Sequence, residues 1–401
     1  MRVLLSTYGT RGDIEPLVAL AEQLRALGAG VRMCAPPDDE FGHRLAGAGI
    51  ELVPVGPPVR ALMRGTTPPS AAELSRYRTE LVDAQFDVFP AAADGCDALV
   101  VAGLAQIGAR SVAEAAGIRY VYTSYAAVNL PSPHHAPPPR PGWPEPAAHD
   151  NRTLWELDAR NVNAQFGEIL NARRAAIGLS PVDDVRDHVH TGRPWLAADP
   201  VLGPWRETPG LDVVQTGAWT QVDERPLPAE LVTFLDAGTP PVYVGFGSIG
   251  TSPDVVRAAV EAIRAQGHRV LVSRGWADLA LVDDRDDCFA LGEVNHQRLF
   301  REVAAVVHHG GAGTTVTAAG AGVPQVVVAL PVSDNPYWGS RVADLEVGAA
   351  LDGPAATFES LSAALETALA PETRARATAL GAEIRTDGAS VAAGLLLDSL
   401  R

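Results

Sequence analysis

The chain has 401 residues, 47% hydrophobic and 20% charged, a balance that suits a globular protein with room for two domains, each with its own core. Its 32 basic residues against 48 acidic ones leave a net charge of −16, which argues against a nucleic-acid partner and against an anionic membrane surface. Residues 1–5 are too short for the core of a signal peptide and no apolar run approaches a membrane span, while Cys34, Cys96 and Cys288 lack metal-like spacing, so a cytoplasmic protein with buried thiols and no stable membrane insertion is expected.

The first half opens with an apolar strand over 2–7, a loop holding Gly9 and Gly12, and a helix over 16–27. Leu17, Leu20, Ala21, Leu24 and Leu27 repeat at helical spacing and Gly28 ends the pattern. A second strand follows over 31–35. The loop between strand and helix lies at the carboxyl edge of the sheet, where open α/β folds bind ligands. Within it Arg11 has the charge to reach a phosphate, and Asp13 reads either as a base or as a helix cap. If Pro16 is the first helical residue, Glu15 is the cap; if Pro16 sits deeper in the first turn, Asp13 is.

Residues 131–144, PSPHHAPPPRPGWP, can form neither helix nor strand. A loop of that length is either disordered or a lid, and His134, His135 and Trp143 favour the lid. The proline- and glycine-rich stretch 196–228 reads as the connection between domains.

The second half repeats the opening. A strand over 242–246 leads through a loop at 247–250 to Ser252 as N-cap and Pro253 as first helical residue. The helix ends near Gly267 and a strand follows over 269–273. Two such β-loop-α-β starts imply two doubly wound domains. The string GFGSIG (245–250) matches the dinucleotide fingerprint, but Thr251, Ser252 and Pro253 separate its last glycine from the helix. The next strand also ends in Ser273 and Arg274 rather than in an acidic residue. Asp284 and Asp286 form an Asp-x-Asp string inside a run of charge, which reads as a solvated turn rather than a metal site.

The densest signal is HHGGAGTT (308–315). A buried strand over 304–307 empties into His308, His309, Gly310 and Gly311, then into Gly313, Thr314, Thr315 and an alanine-rich helix. Free amides and the helix dipole converge there on one spot, and small residues admit a phosphate. The alternative is a tight turn with a helix cap. The chain contains no lysine, so this is no Walker loop and a phosphate is left to amides, hydroxyls and a histidine. That points to nucleotide-sugar chemistry. After Phe358 the chain reads as helical, with 391–400 able to return to the first domain.

Taken together, TRGDIEP (10–16), VYVGFGS (242–248), SRGWADL (273–279), GEVNHQ (292–297), HHGGAGTT and SDNPYWGSRVADLEVG (333–348) resemble the bacterial family 1 glycosyltransferases, in the branch that acts on vancomycin-type glycopeptide aglycones. The resemblance runs nearly end to end. It implies a GT-B fold, with two Rossmann-like α/β domains facing a central cleft: an acceptor domain over 1–200, a linker over 201–220, a donor domain over 221–384 and a C-terminal helix over 385–401 that crosses back.

By position, the resemblance makes Asp13 the general base. It places Arg11, Ser248, Arg274, Val294, Asn295, His309, Gly311, Gly313, Thr314, Asp334 and Asn335 around the nucleotide sugar. Val294 and Asn295 lie against the base in this reading, and Asp334 and Asn335 against the hexose. Tyr8, Tyr125, His134 and His135 are the expected acceptor contacts. The family commonly has Asp-Gln where this chain has Asp334 and Asn335, a departure that bears on the sugar.

The reaction this implies needs no metal and no bound cofactor. A hexose, with glucose favoured over an amino or N-acetylamino sugar, passes from a UDP- or TDP-sugar to a hydroxyphenylglycine of a heptapeptide aglycone, with inversion. An aspartate near its reference pKa of about 3.9 suits a phenol near 10 better than an aliphatic alcohol. An NADP-dependent oxidoreductase and a nucleotide-sugar epimerase are the rival readings. The oxidoreductase leaves the His309 turn unexplained, and the epimerase leaves the proline-rich segment without a use.

Overall fold

The computed structural model describes residues 1–60, 71–138, 140, 150–247, 252–274 and 285–401. They fall into two contact units: Met1–Pro200, Pro204–Gln221 and Thr386–Arg401 form the first, and Val201–Gly203 with Val222–Arg385 form the second.

The first unit runs β1 (Arg2–Thr7), α1 (Arg11–Ala26), β2 (Gly30–Ala35), α2 (Asp39–Gly47), β3 (Glu51–Pro54), α3 (Ala71–Ala92), β4 (Ala98–Ala102), α4 (Ala109–Ala116), β5 (Arg119–Ser124), α5 (Asn151–Ala176), α6 (Val185–His190), β6 (Trp195–Leu196) and β7 (Val214–Gln215). Its parallel sheet has the order β3-β2-β1-β4-β5-β6-β7. Helices cover both faces, so consecutive residues of the central strands are buried: Val3, Leu4 and Leu5 of β1 and Leu99, Val100 and Val101 of β4 are all at 0% exposure.

Two expectations change here. Helix α1 begins at Arg11, not at Pro16, and its N-cap is Thr10 rather than Glu15 or Asp13. Gly12 is therefore helical, and Pro16 sits inside the helix. One missing amide is a smaller loss than the capping box and the buried face of Ile14, Leu17, Val18 and Leu20 provide. The stretch 196–228 is also more than a connection. Trp195 pairs with Val214 and Leu196 with Gln215, so it carries β7 and closes one edge of the first sheet. Two-residue strands are too short to leave a periodic signal.

The described part of the proline-rich loop is tied down within the first unit. The Ser132 hydroxyl lies 3.0 Å from that of Thr208, Asn151 donates to the Pro133 carbonyl at 3.0 Å, and Trp155 donates to the His135 carbonyl at 2.9 Å. Arg140 grips the buried Asp158 with two nitrogens, at 2.7 and 3.2 Å. Trp143 lies outside the described residues.

The second unit runs α7 (Ala229–Asp236), β8 (Val242–Gly245), α8 (Pro253–Ala265), β9 (Val270–Ser273), β10 (Cys288–Leu291), α9 (His296–Leu299), β11 (Ala305–His308), α10 (Ala312–Gly320), β12 (Gln325–Ala329), α11 (Asn335–Asp344), β13 (Gly348–Asp352), α12 (Phe358–Leu369) and α13 (Pro371–Gly381). Its strands are parallel in the order β10-β9-β8-β11-β12-β13. Alternation along β8 splits the core in two. Val242, Val244 and Phe246 pack with Ile263 and Leu365, while Tyr243 packs with Leu271 and Phe300 on the other face. Each such buried side chain contributes roughly 1.5–3 kcal/mol. Ser252 caps α8 by accepting the Asp254 N–H, with Pro253 next in line.

A last helix, α14 (Gly388–Asp398), belongs to the first unit and packs on α1. It starts with Gly388 because a β-carbon there would collide with the backbone of Gly217 and Ala218.

Candidate active site

In each sheet the strand order reverses once, between β1 and β4 in the first and between β8 and β11 in the second. Loops leaving such a pair diverge and open a crevice beyond their carboxyl ends. Tyr8, Arg11 and Asp13 lie at the first of these points, and His309, Gly311, Gly313 and Thr314 at the second.

At the first, β1 ends in Thr7 and the chain turns through Tyr8, Gly9 and Thr10 into α1. Asp13 is the third helical residue. Its carboxylate accepts the Thr10 N–H at 2.8 Å, and its own N–H donates to the Thr10 carbonyl at 2.9 Å. The capping bond ties down orphan amides of the helix start and fixes which way the carboxylate faces. Gly9 makes room for it, because a β-carbon there would overlap the Asp13 carboxylate. The carboxylate that closes the capping box from N3 and the candidate base are thus one group.

Aromatic groups gather around this turn. Tyr125 donates to the Asp13 carbonyl at 3.1 Å and meets the Trp219 ring edge-on. Tyr8 donates to the Pro57 carbonyl at 2.6 Å and is bonded in turn by the Tyr77 hydroxyl. Burial pushes the Tyr8 phenol far above its ordinary range and the Tyr77 phenol up to about 12, so both remain protonated donors. Arg11 pairs with Glu15 at 3.1 Å, and Glu15 also holds Arg44 at 2.9 Å. His134 is exposed, with its Nε2 3.2 Å from the Glu207 carbonyl. His135 is half-buried between Trp155 and Trp205, and burial lowers its pKa.

At the second reversal, His308 and Gly245 lie side by side in register. His308 is wholly buried, with Nε2 2.9 Å from Gln325 Oε1 and Nδ1 accepting the Gly310 N–H at 3.2 Å. That network assigns the proton to Nε2 and makes His308 a brace for the turn. Gly310 has φ +91°, and a β-carbon there would lie 2.7 Å from the Asn335 carbonyl. Only glycine meets both demands.

His309 is buried between two glycines. A β-carbon on Gly247 would lie 2.9 Å from its Cε1, and one on Gly311 2.5 Å from its Nε2. Nε2 therefore sits at the N-cap of α10. Burial lowers the His309 pKa to about 4, so at neutral pH the ring is uncharged and acts through one N–H. Gly311 is the N-cap, and the first bond back to it comes from Thr315 N at 3.0 Å. The amides of Ala312, Gly313 and Thr314 precede that bond and point out of the helix end. These donors, the helix dipole and the His309 edge can hold an anion.

The other predicted donor contacts divide. Asp334 accepts the Trp338 indole N–H at 2.8 Å and has its pKa raised by burial. Asn335 opens α11, is 2% exposed, and has a buried Nδ2 without a hydrogen-bond partner. Val294 is buried in the core, and the Asn295 side chain turns away to bond the backbone of Asp223 and Arg225. Arg274 is exposed, with its N–H on the Leu291 carbonyl at 3.1 Å. Ser248, Trp276 and Asp284 lie outside the described residues.

Sequence reasoning missed Thr10, Tyr77 and the packing of Gly9 and Gly247. For Thr10 a signal existed: TRGD has the spacing of a capping box. Nothing local marks Tyr77 or Gly247. Among the described residues no group of His, Cys, Asp and Glu is arranged to hold a metal, and no helix is long and apolar enough to cross a membrane.

Comparison with known proteins gives the following. Residues 3–130 match the glycosyltransferase family 28 N-terminal domain, and residues 287–392 match the C-terminal domain of the erythromycin biosynthesis protein CIII-like family. The chain is 57% identical over 406 residues to the vancomycin aglycone glucosyltransferase of Amycolatopsis orientalis, covering 100% of this chain and 98% of that protein. It is 51% identical over 411 residues to the dTDP-epi-vancosaminyltransferase of the same organism, again covering 100% and 98%. Among solved structures, the glycotransferase of kitacinnamycin superposes with a TM-score of 0.75 at 18% identity, over 100% of this chain and 99% of that one.

Proposed function

Since the chain belongs to the bacterial family 1 glycosyltransferases, with their GT-B fold and hexosyltransferase activity, we propose that it glucosylates a glycopeptide aglycone. In this reading glucose moves from UDP- or TDP-glucose to the phenolic hydroxyl of a 4-hydroxyphenylglycine, with inversion and without a metal. The observation that carries it is the 57% identity, along the whole chain, to an enzyme named for glucosyl transfer to the vancomycin aglycone. The 51% identity to an epi-vancosaminyltransferase supports a second reading, the same acceptor class with an amino sugar.

The residues suit that chemistry. The phenol oxygen attacks the anomeric carbon, its proton passes to Asp13, and the bond from that carbon to the diphosphate breaks. Thr10 orients the Asp13 carboxylate through its N–H. Charge develops on the departing diphosphate, where the first-turn amides of α10 and the neutral His309 N–H would take it up. Tyr8, Tyr125, His134 and His135 are the proposed acceptor contacts, the first two beside the turn that carries Asp13. Arg11, Ser248, Arg274, Val294, Asp334 and Asn335 complete the proposed donor set.

The test is mass spectrometry of a vancomycin-type aglycone incubated with the protein, UDP- or TDP-glucose and excess EDTA. Addition of one hexose is expected. A protein that binds the glucose donors yet makes no product has another sugar or acceptor. Failure to bind either nucleotide sugar would overturn the proposal.

A further inference from the structure

The motif GEVNHQ (292–297) sends its alternate side chains in opposite directions. Val294 enters the core formed with Tyr243, Leu271 and Leu291, and the His296 ring stacks on Phe300 at 4.9 Å. Glu293, Asn295 and Gln297 all reach residues 223–225, near the start of the longer segment of the second unit. Asn295 donates to the Asp223 carbonyl at 2.6 Å and to the Arg225 carbonyl at 2.9 Å, while its Oδ1 accepts the Arg298 N–H at 3.0 Å. Gln297 accepts the Asp223 N–H at 3.2 Å, and Glu293 pairs with Arg225 at 3.3 Å. Arg225 also holds the Asp223 carboxylate at 2.7 Å.

We propose that this motif is a buckle for the segment 223–225, and that Asn295 is a positioning residue whose side chain does not read the base. An amide has two hydrogens, and both of those on Asn295 are committed to carbonyls at a site only 1% exposed. Turning them to a nucleobase would leave a nine-tenths buried amide without its two partners and strip both carbonyls of theirs at once. The buckle pins the turn at 294–295 from its polar side while Val294 pins it from the core, so a base resting there meets fixed main chain. The proposal rests on the nucleotide-sugar reading above.

Calorimetry on the full chain with UDP or TDP, whichever binds, against CDP tests it. Uracil and thymine present a carbonyl and an N–H where cytosine presents an amine and a bare nitrogen, so a base-reading amide would discriminate between them. Asn295→Asp keeps the oxygen that caps α9 and loses both donors. Gln297→Ala loosens the buckle two residues on, where its side chain accepts the Asp223 N–H.

Both variants are expected to weaken the preferred nucleotide by about three- to tenfold, the worth of one or two hydrogen bonds. The preference over CDP should stay as in the parent, and the effect should appear in the donor KM more than in kcat. A collapse of that preference in Asn295→Asp alone, with Gln297→Ala like the parent, overturns the proposal in favour of base reading. Parent-like nucleotide affinity in both variants overturns it as well. A parent protein that binds neither UDP nor TDP instead sinks the donor reading on which it stands.

Discussion

The place a β-carbon on Gly9 would take is filled by the carboxylate of Asp13. The same carboxylate accepts the Thr10 N–H, so a glycine, a cap and an acid four residues on from that glycine form one unit at the end of β1. Gly9 is absent from the positive-φ glycines; its small size is what the site uses.

Gly9→Ala should therefore push the carboxylate off its capping bond without straining the backbone. We expect kcat to fall by about 10²-fold, the usual worth of a positioned base, and stability to drop by about 1 kcal/mol, that of a lost cap. Nucleotide affinity should hold, because the His309 turn is built in the other unit. Steady-state kinetics beside a thermal melt would check this, and an unchanged kcat would show that the carboxylate's position is immaterial.

Asp13→Asn separates the two roles of that group. The amide oxygen can still accept the Thr10 N–H, so the melt should stay within about 1 kcal/mol of the parent. Turnover should fall by about 10²–10⁴-fold. Normal turnover with an unchanged pH profile would remove Asp13 from the chemistry.

Gly311→Ala places a methyl group 2.5 Å from His309 Nε2 at a backbone angle, φ −66°, that alanine adopts freely. The imidazole must swing off the end of α10, and nucleotide binding should weaken by about tenfold, one charge-assisted hydrogen bond. If the methyl acts through the ring, adding it to His309→Ala should cost nothing further. Additive losses in titrations of the double variant would show that it acts elsewhere.

Acid should unfold the protein with proton uptake by histidines. Burial lowers the pKa of His188 and His309 to about 4 and of His308 to about 3, and drives His190 well down. The unfolded chain protonates these groups near the ordinary value of about 6.5. Their stability contribution is whole above that pH and is lost as pH falls from there through the folded values, at up to about 1.4 kcal/mol per pH unit for each group. Melting temperatures should be flat from about pH 7 to 8 and drop steeply from about pH 6 to 4. A flat profile over the lower range would mean that the buried rings already carry charge.

How far the sequence could be read depended on the range of the interaction. The opening strand, the Ser252 and Pro253 helix start and the turn after β11 were legible because caps, glycines and apolar periodicity act over a few residues. The start of α1 was misread for an equally local reason: Pro16 drew the boundary although the spacing of Thr10 and Asp13 already spelled a capping box. The edge strand at Val214 and Gln215 gave no such signal, since two residues have no period and its existence depends on pairing with Trp195 and Leu196.

The sequence by itself determined two strand-turn-helix starts, an acid in the turn of the first and a later turn of two histidines and glycines after a buried strand, because turn chemistry and hydrophobic spacing are properties of short segments. Only the tertiary structure decided how those groups are held. His308 became a brace through Gln325, His309 became a neutral donor wedged between Gly247 and Gly311, and the Asn295 amide came to be held by the carbonyls of Asp223 and Arg225. Each of those outcomes depends on burial and on partners brought in from elsewhere in the chain, and a buried polar group takes the partner that packing supplies.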